Sequence, residues 1–130
     1  MPGSSQPGKD PRPLRDRAFQ KKMQHDLIDF LTANNVDITH AALQGISARD
    51  YRQLFAYLVH LLDHAFVINE ESADQFAADF VSALQCLRFP WMPSSFDSKG
   101  LVTPNSMHGW GFFLGVLHWL AAVCKVEAIF

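Results

Sequence analysis

Residues 108–126 read HGWGFFLGVLHWLAAVCKV, which is apolar nearly all round when wound as a helix. Such a helix must be surrounded by other elements rather than laid on a surface. Its uninterrupted apolar core, Trp110 to Val123, is fourteen residues long and contains Gly111, Gly115 and His118. A membrane span needs about twenty residues, so a buried core helix is expected and no membrane partner is implied. Gly109, Gly111 and Gly115 each weaken helix propensity, and close approach of a neighbouring helix is the expected reason for them.

The remaining sequence supplies helices to wrap that centre. Phe19, Met23, Leu27, Phe30 and Leu31 form one stripe at helical spacing, which predicts a helix from about Asp16, its N-cap, to Asn34. Lys21 and Lys22 fall off that stripe. A short helical turn is expected around His40 to Gln44. Ser47 with Asp50 three residues on resembles a capping box, and Tyr51, Leu54, Phe55, Leu58, Val59 and Leu62 then repeat with the period of a second long helix. The third is predicted over about Glu70 to Leu87, with Glu70, Glu71 and Asp74 at its positive end, Ala73, Phe76, Ala77, Phe80, Val81 and Leu84 facing inward, and Pro90 stopping it. Residues 91–107 read as a polar loop, long enough to suggest function or mobility. The last helix is predicted from His108 to Val126.

The fold class is therefore all-α: four main helices plus short connecting ones around a central C-terminal helix. A chain of 130 residues favours one domain and can bury roughly two-thirds of its unfolded surface. With 48% hydrophobic residues and 11 Phe, it is too apolar for disorder. Pro11 and Pro13 exclude a helix before Asp16, so residues 1–15 read as a basic tail and extended lead-in and residues 16–130 as the helical domain. Met1 to Gly8 contain no apolar run, so no signal peptide is expected. Cys86 and Cys124 lie in apolar helical contexts and are expected to be buried, reduced thiols, which suits a nuclear or cytoplasmic compartment.

Charge is unevenly spread. Residues 1–22 carry Lys9, Arg12, Arg15, Arg17, Lys21 and Lys22 against Asp10 and Asp16, whereas residues 23–87 carry nine acids against Arg49 and Arg52. A basic entrance to an acidic body is an argument about partners, not about fold. Aromatic residues are not interleaved with these cations, which disfavours a nucleic-acid partner. Catalytic chemistry finds little support. His60 and His64 have the i, i+4 spacing of metal ligands, but no general-base Glu adjoins the first and no third ligand is evident. No strand-turn-helix elbow can present a nucleophile, and no glycine-rich phosphate loop occurs. His118, between Leu117 and Trp119, reads as a hydrogen-bonded core histidine. No metal or cofactor is implied, and no enzyme.

Several motifs are familiar. Lys9-Asp10-Pro11-Arg12-Pro13-Leu14-Arg15-Asp16, continuing to Ala18-Phe19-Gln20, resembles the lead-in of the Ndc-eighty (Hec) family of outer-kinetochore subunits. The resemblance continues at Asp29-Phe30-Leu31 with Asn34-Asn35, and at Phe55-Ala56-Tyr57-Leu58. It recurs at Leu87-Arg88-Phe89-Pro90-Trp91, at His108-Gly109-Trp110, and from Leu114 to Leu120, so that it covers nearly all of residues 9–124. It implies a calponin-homology fold, no catalysis, binding to microtubules at tubulin monomer interfaces, and pairing with a second calponin-homology head from a partner kinetochore subunit. It also implies a kinetochore location at the centromere of nuclear chromosomes. A long coiled coil follows this head in the family, so the 130 residues read as a piece of a longer protein.

Family binding positions carry over to Lys9, Arg17 and His108, the last expected at the positive end of the final helix. A further family lysine falls on Gln85, which one helical turn's arithmetic places on the solvent side; Arg88 and Lys99 are the nearby candidates to replace it. The family's basic, phosphorylatable tail is reduced here to Met1 to Gly8, with no basic residue before Ser4 or Ser5. Two other readings compete with a microtubule-binding head. One is a structural module that mainly pairs with the partner's head. The other is an actin-binding calponin-homology domain, which usually works as a tandem pair.

Overall fold

A computed structural model describes residues 9–93 and 96–129; the tail Met1 to Gly8 lies outside the described residues. Five α-helices follow in order: α1 (Arg17–Ala33), α2 (His40–Gln44), α3 (Ala48–Leu62), α4 (Ala73–Cys86) and α5 (Trp110–Ile129), with a 3-10 turn at Ser98–Val102 before the last. Among the described residues there is no strand. The fold is the all-α, calponin-homology-like arrangement that the sequence implies.

Helix ends follow local chemistry. Asp16 caps α1 by accepting from Phe19 N–H, and Ser47 caps α3 by accepting from Asp50 N–H. The α1 terminus closes with Asn35 at φ 64°, where Val36 N–H reaches Leu31 O at 2.8 Å and Asn35 N–H reaches Thr32 O at 3.0 Å. The expected start of α4 at Glu70 is corrected to Ala73. Asn69 Oδ1 accepts from the N–H groups of Glu71 and Ser72, which holds these residues in a turn, and Ser72 then caps the helix through Gln75 N–H. Only Asp74 of the three acids lies in its first turn.

The core is aromatic. Phe55, Phe76 and Phe80 are fully buried and their rings meet at 4.8–5.9 Å, with Phe113 of α5 reaching Phe80 at 6.1 Å. Each buried phenylalanine contributes about 1.5–3 kcal/mol by leaving water. Tyr51 is buried as well; its hydroxyl donates to the Phe113 carbonyl at 2.8 Å, and burial pushes its phenol far up. Leu114, Val116, Leu117 and Leu120 have no exposed surface, and α5 packs against both α1 and α3. At 20 residues α5 is long and apolar enough to cross a membrane by length and composition, yet more than half of its stretch Trp110–Glu127 is buried inside the fold.

Several sequence expectations need correction. Residues 91–107 are not simply polar: Phe96 stacks on Phe80 at 5.6 Å, and Leu101 and Pro104 are buried. Cys86 is exposed, on the face of α4 away from Phe80 and Leu84, while Cys124 is buried and burial raises its thiol to about 11. His60 and His64 do not share a helical face, because α3 ends at Leu62; the His60 ring instead lies 2.8 Å from the Phe66 carbonyl. His118 is half-buried rather than in the core, and it pairs with Asp26 of α1 at 3.1 Å.

Candidate functional site

The lead-in is fastened across α5. Asp10 holds Arg12 through three contacts of 2.7–3.2 Å, so the guanidinium is fixed in a fork by its own neighbour. Its Nη1 donates to the Gly115 carbonyl at 3.2 Å, and its plane lies 4.6 Å from the centre of the Trp91 ring. Leu14 follows with a half-buried side chain, and its carbonyl accepts from Gln20 Nε2 at 2.7 Å. The two helix glycines now have a reason, and it is not the expected helix. A Cβ on Gly111 would stand 2.3 Å from Leu14 O, and one on Gly115 would stand 3.1 Å from Arg12 Nη2. Their missing side chains form a shallow track for the extended segment.

That fastening places the basic entrance. Lys9 is exposed one residue before Asp10, and Arg15, Arg17, Lys21 and Lys22 are exposed along the start of α1. Arg17 is the first residue of that helix. Lys22 is paired with Asp26 at 2.9 Å, and Asp26 is shared with His118. Burial pushes the Asp26 carboxyl up, but the contacts from Lys22 and His118 outweigh it and hold the group below its ordinary value. Burial pushes His118 down, which its Asp26 contact only partly offsets, so the imidazole is neutral at pH 7 and bonds as a dipole rather than as a cation.

Arg88 is exposed and lies just past α4 with φ 64°, a conformation that suits glycine. The geometry is forced by the helix end: Phe89 N–H bonds Leu84 O at 2.8 Å, Arg88 N–H bonds Gln85 O at 3.1 Å, and Phe89 and Leu84 are both buried. Gln85 is exposed, as helical spacing predicts. Trp91, which covers Arg12, lies three residues on, so this corner adjoins the lead-in. Lys99 sits elsewhere. It lines a cleft with Arg52, Ala73 and Asp74 at the opposite end of α4, a helix about 21 Å long. His108 is exposed but outside α5. Ser106 O accepts from Gly109 and Trp110 N–H groups at 3.2 and 2.9 Å, which makes a turn of residues that were expected in the helix.

Sequence reading did not single out Arg15 and Lys21, which with Arg17 border one cavity beside Trp110. Their signal was available: Arg17, Gln20, Lys21 and Gln24 recur at i, i+3, i+4 and i+7, a polar stripe next to the apolar one.

An all-α head among the described residues, with an aromatic core, an apolar central helix and a lead-in strapped over it, defines a calponin-homology-like module. The HEC/Ndc80p family matches residues 18–129, and the chain belongs to that family. It is a family of structural kinetochore proteins, not of enzymes. Among its relatives, the probable kinetochore protein ndc80 of Aspergillus fumigatus is 30% identical over 97% of this chain and 17% of its own length. That of Cryptococcus neoformans is 30% identical over 90% of this chain and 16% of its own, and that of Candida glabrata 29% over 88% and 16%. The chain thus spans about a sixth of the length of these relatives.

Proposed function

We propose that the chain is a microtubule-binding head of an outer-kinetochore complex, working at the centromere of nuclear chromosomes and attaching them to the spindle. The observation that carries this reading is the strapped lead-in. Asp10, Arg12, Trp91 and Gly115 hold an extended segment whose cations would otherwise be mobile. Lys9, Arg17, Arg88 and His108 then stand on exposed ground to meet acidic tubulin, with Lys99 a separate candidate some 20 Å away along α4. Exposed ion pairs contribute only about 0–1 kcal/mol each, and salt screens them over ~8 Å. Single grips of that kind are weak and releasable, and many heads in parallel supply strength by avidity.

Pairing with a second head is the companion reading. A groove of about 410 Å³ between α2 and α3, lined by Val36, Ile38, Ala42, Ile46, Leu54 and Tyr57, offers apolar surface for it. Co-sedimentation with microtubules and with actin filaments across a salt series tests the first reading. Lys9→Glu and Arg17→Glu should each weaken microtubule binding, leave the melting temperature nearly unchanged and spare the heterodimer. Unaltered microtubule affinity in both variants at low salt would leave pairing as the main role; actin binding in place of microtubule binding would overturn the microtubule reading.

A further inference from the structure

The cavity beside Trp110 shares Arg17 with the proposed microtubule face and adds Arg15, Lys21 and the Trp110 indole. Its volume is about 480 Å³, and it lies between the first two turns of α1 and the turn that precedes α5. Arg15, Arg17 and Lys21 rim it, and among the described residues none of the three is engaged in an ion pair. No acidic residue is among the described residues that line it. The nearest carboxylate in sequence, Asp16, is occupied in capping Phe19 N–H. One buried donor belongs to the same wall. Trp110 is 6% exposed and its indole N–H has no hydrogen-bond partner among the described residues. Gln24, 5% exposed, lines the cavity as well.

Buried polar groups are nearly always bonded, so an unpartnered indole N–H in this wall marks a place where something is received. Three cations and this neutral donor converge, which asks for a ligand of high negative charge with several acceptors. A carboxylate brings one charge and two oxygens. A phosphomonoester brings about −1.5 to −2 charges and three strong acceptor oxygens. The volume falls in the range that encloses an organic ligand rather than a bare ion.

We infer that this cavity is a binding site for a phosphorylated serine or threonine side chain of a partner protein segment. Arg15, Arg17 and Lys21 neutralise the phosphate, and the Trp110 indole N–H takes a residual acceptor. The inference goes beyond the microtubule reading, and its test contains no microtubules, so either can fail without the other.

The test follows the Trp110 indole N–H resonance of isotope-labelled protein, assigned through Trp110→Phe, during titration with a short peptide centred on phosphoserine. The same peptide with serine, the same peptide with glutamate, and inorganic phosphate are the other arms. Saturable movement of the Trp110 resonance, with Trp119 unmoved, is expected for the phosphopeptide alone, and Lys21→Glu should weaken that binding about tenfold or more at unchanged melting temperature. Three results overturn the proposal: no movement with phosphopeptide in the native protein, glutamate peptide binding as tightly as phosphopeptide, or inorganic phosphate binding as tightly as either. The first arm uses the native protein, so a failure of any variant to fold does not protect the idea.

Discussion

Gly111→Ala is the most direct probe of how this head holds its lead-in. The new Cβ would lie 2.3 Å from Leu14 O, 3.0 Å from Leu14 C and 3.2 Å from Leu14 Cβ. Ordinary carbon–oxygen contact begins at about 3.3 Å, so the strap must retreat by about 1 Å, and its backbone cannot rotate away as a side chain could. Overpacking of this kind costs about 1–3 kcal/mol. The Gln20 to Leu14 hydrogen bond, worth about 0.5–1.5 kcal/mol, stretches with it. Alanine returns about 1 kcal/mol of helix propensity. The net expectation is a loss of about 1–3 kcal/mol, or roughly 3–12 °C in melting temperature for a domain of this size. Gly115→Ala is the control. Its Cβ meets Arg12 Nη2 and Leu14 Cδ2 at 3.1 Å, so these side-chain ends need give by only a few tenths of an ångström, and the propensity gain offsets the clash to within about 1 kcal/mol. Thermal melts followed by circular dichroism give the stabilities, and trypsin cleavage after Arg15 reports whether the strap has lifted. Gly111→Ala should melt lower, be cut faster and bind microtubules less well. Equal melting of Gly111→Ala and the native chain would refute the reasoning, as would equal damage from the two glycine changes.

Three further outcomes are expected. Arg88→Gly should raise the melting temperature by about 3–5 °C, since it relieves roughly 1 kcal/mol of left-handed backbone cost, while lowering microtubule co-sedimentation; unchanged melting would contradict the strain, and unchanged binding would remove Arg88 from the footprint. Gln85→Lys, at an exposed site, should strengthen microtubule binding by one exposed ion pair, about 0.2–1 kcal/mol, and the gain should vanish in high salt; silence at low salt places this end of α4 off the lattice. His118 and Asp26 both have depressed values in the fold, so each contributes stability that is lost on acidification. The His118 part is present above its ordinary 6.5 and fades as pH falls through the folded value, whereas the Asp26 part fades only below 3.8. Calorimetric melting temperature should therefore fall between pH 7 and 5, and His118→Gln, which keeps a donor for Asp26, should flatten that slope; an identical slope in the variant would reject the assignment.

Much of the architecture was legible in the sequence because helix formation is local. Asp16 and Ser47 cap the helices they were expected to cap, since a capping side chain reaches N–H groups only two or three residues away. Tyr51, Leu54, Phe55, Leu58 and Val59 are buried and Gln85 is exposed, because a period of 3.6 residues fixes which side of a helix each occupies. The all-round apolar character of α5 made it central, and the excess of cations before residue 23 marked the edge proposed to bind. Where local signals compete, the ends slipped: the turn at Asn69 took Glu70 and Glu71 from α4, and the turn at Ser106 took His108 from α5.

What only the tertiary structure decided involves residues far apart along the chain. Gly111 and Gly115 looked like a helix-packing pair, and only the fold shows Leu14 and Arg12, about a hundred residues earlier, running over them. Asp26 and His118 pair across 92 residues, which no periodicity can announce. The cavity that joins Arg15, Arg17, Lys21 and Gln24 to Trp110 has the same origin. Helical period and capping are set by covalent neighbours and so are written in the sequence, whereas these meetings are set by how α1 and the lead-in lie against α5, which depends on the packing of the whole core.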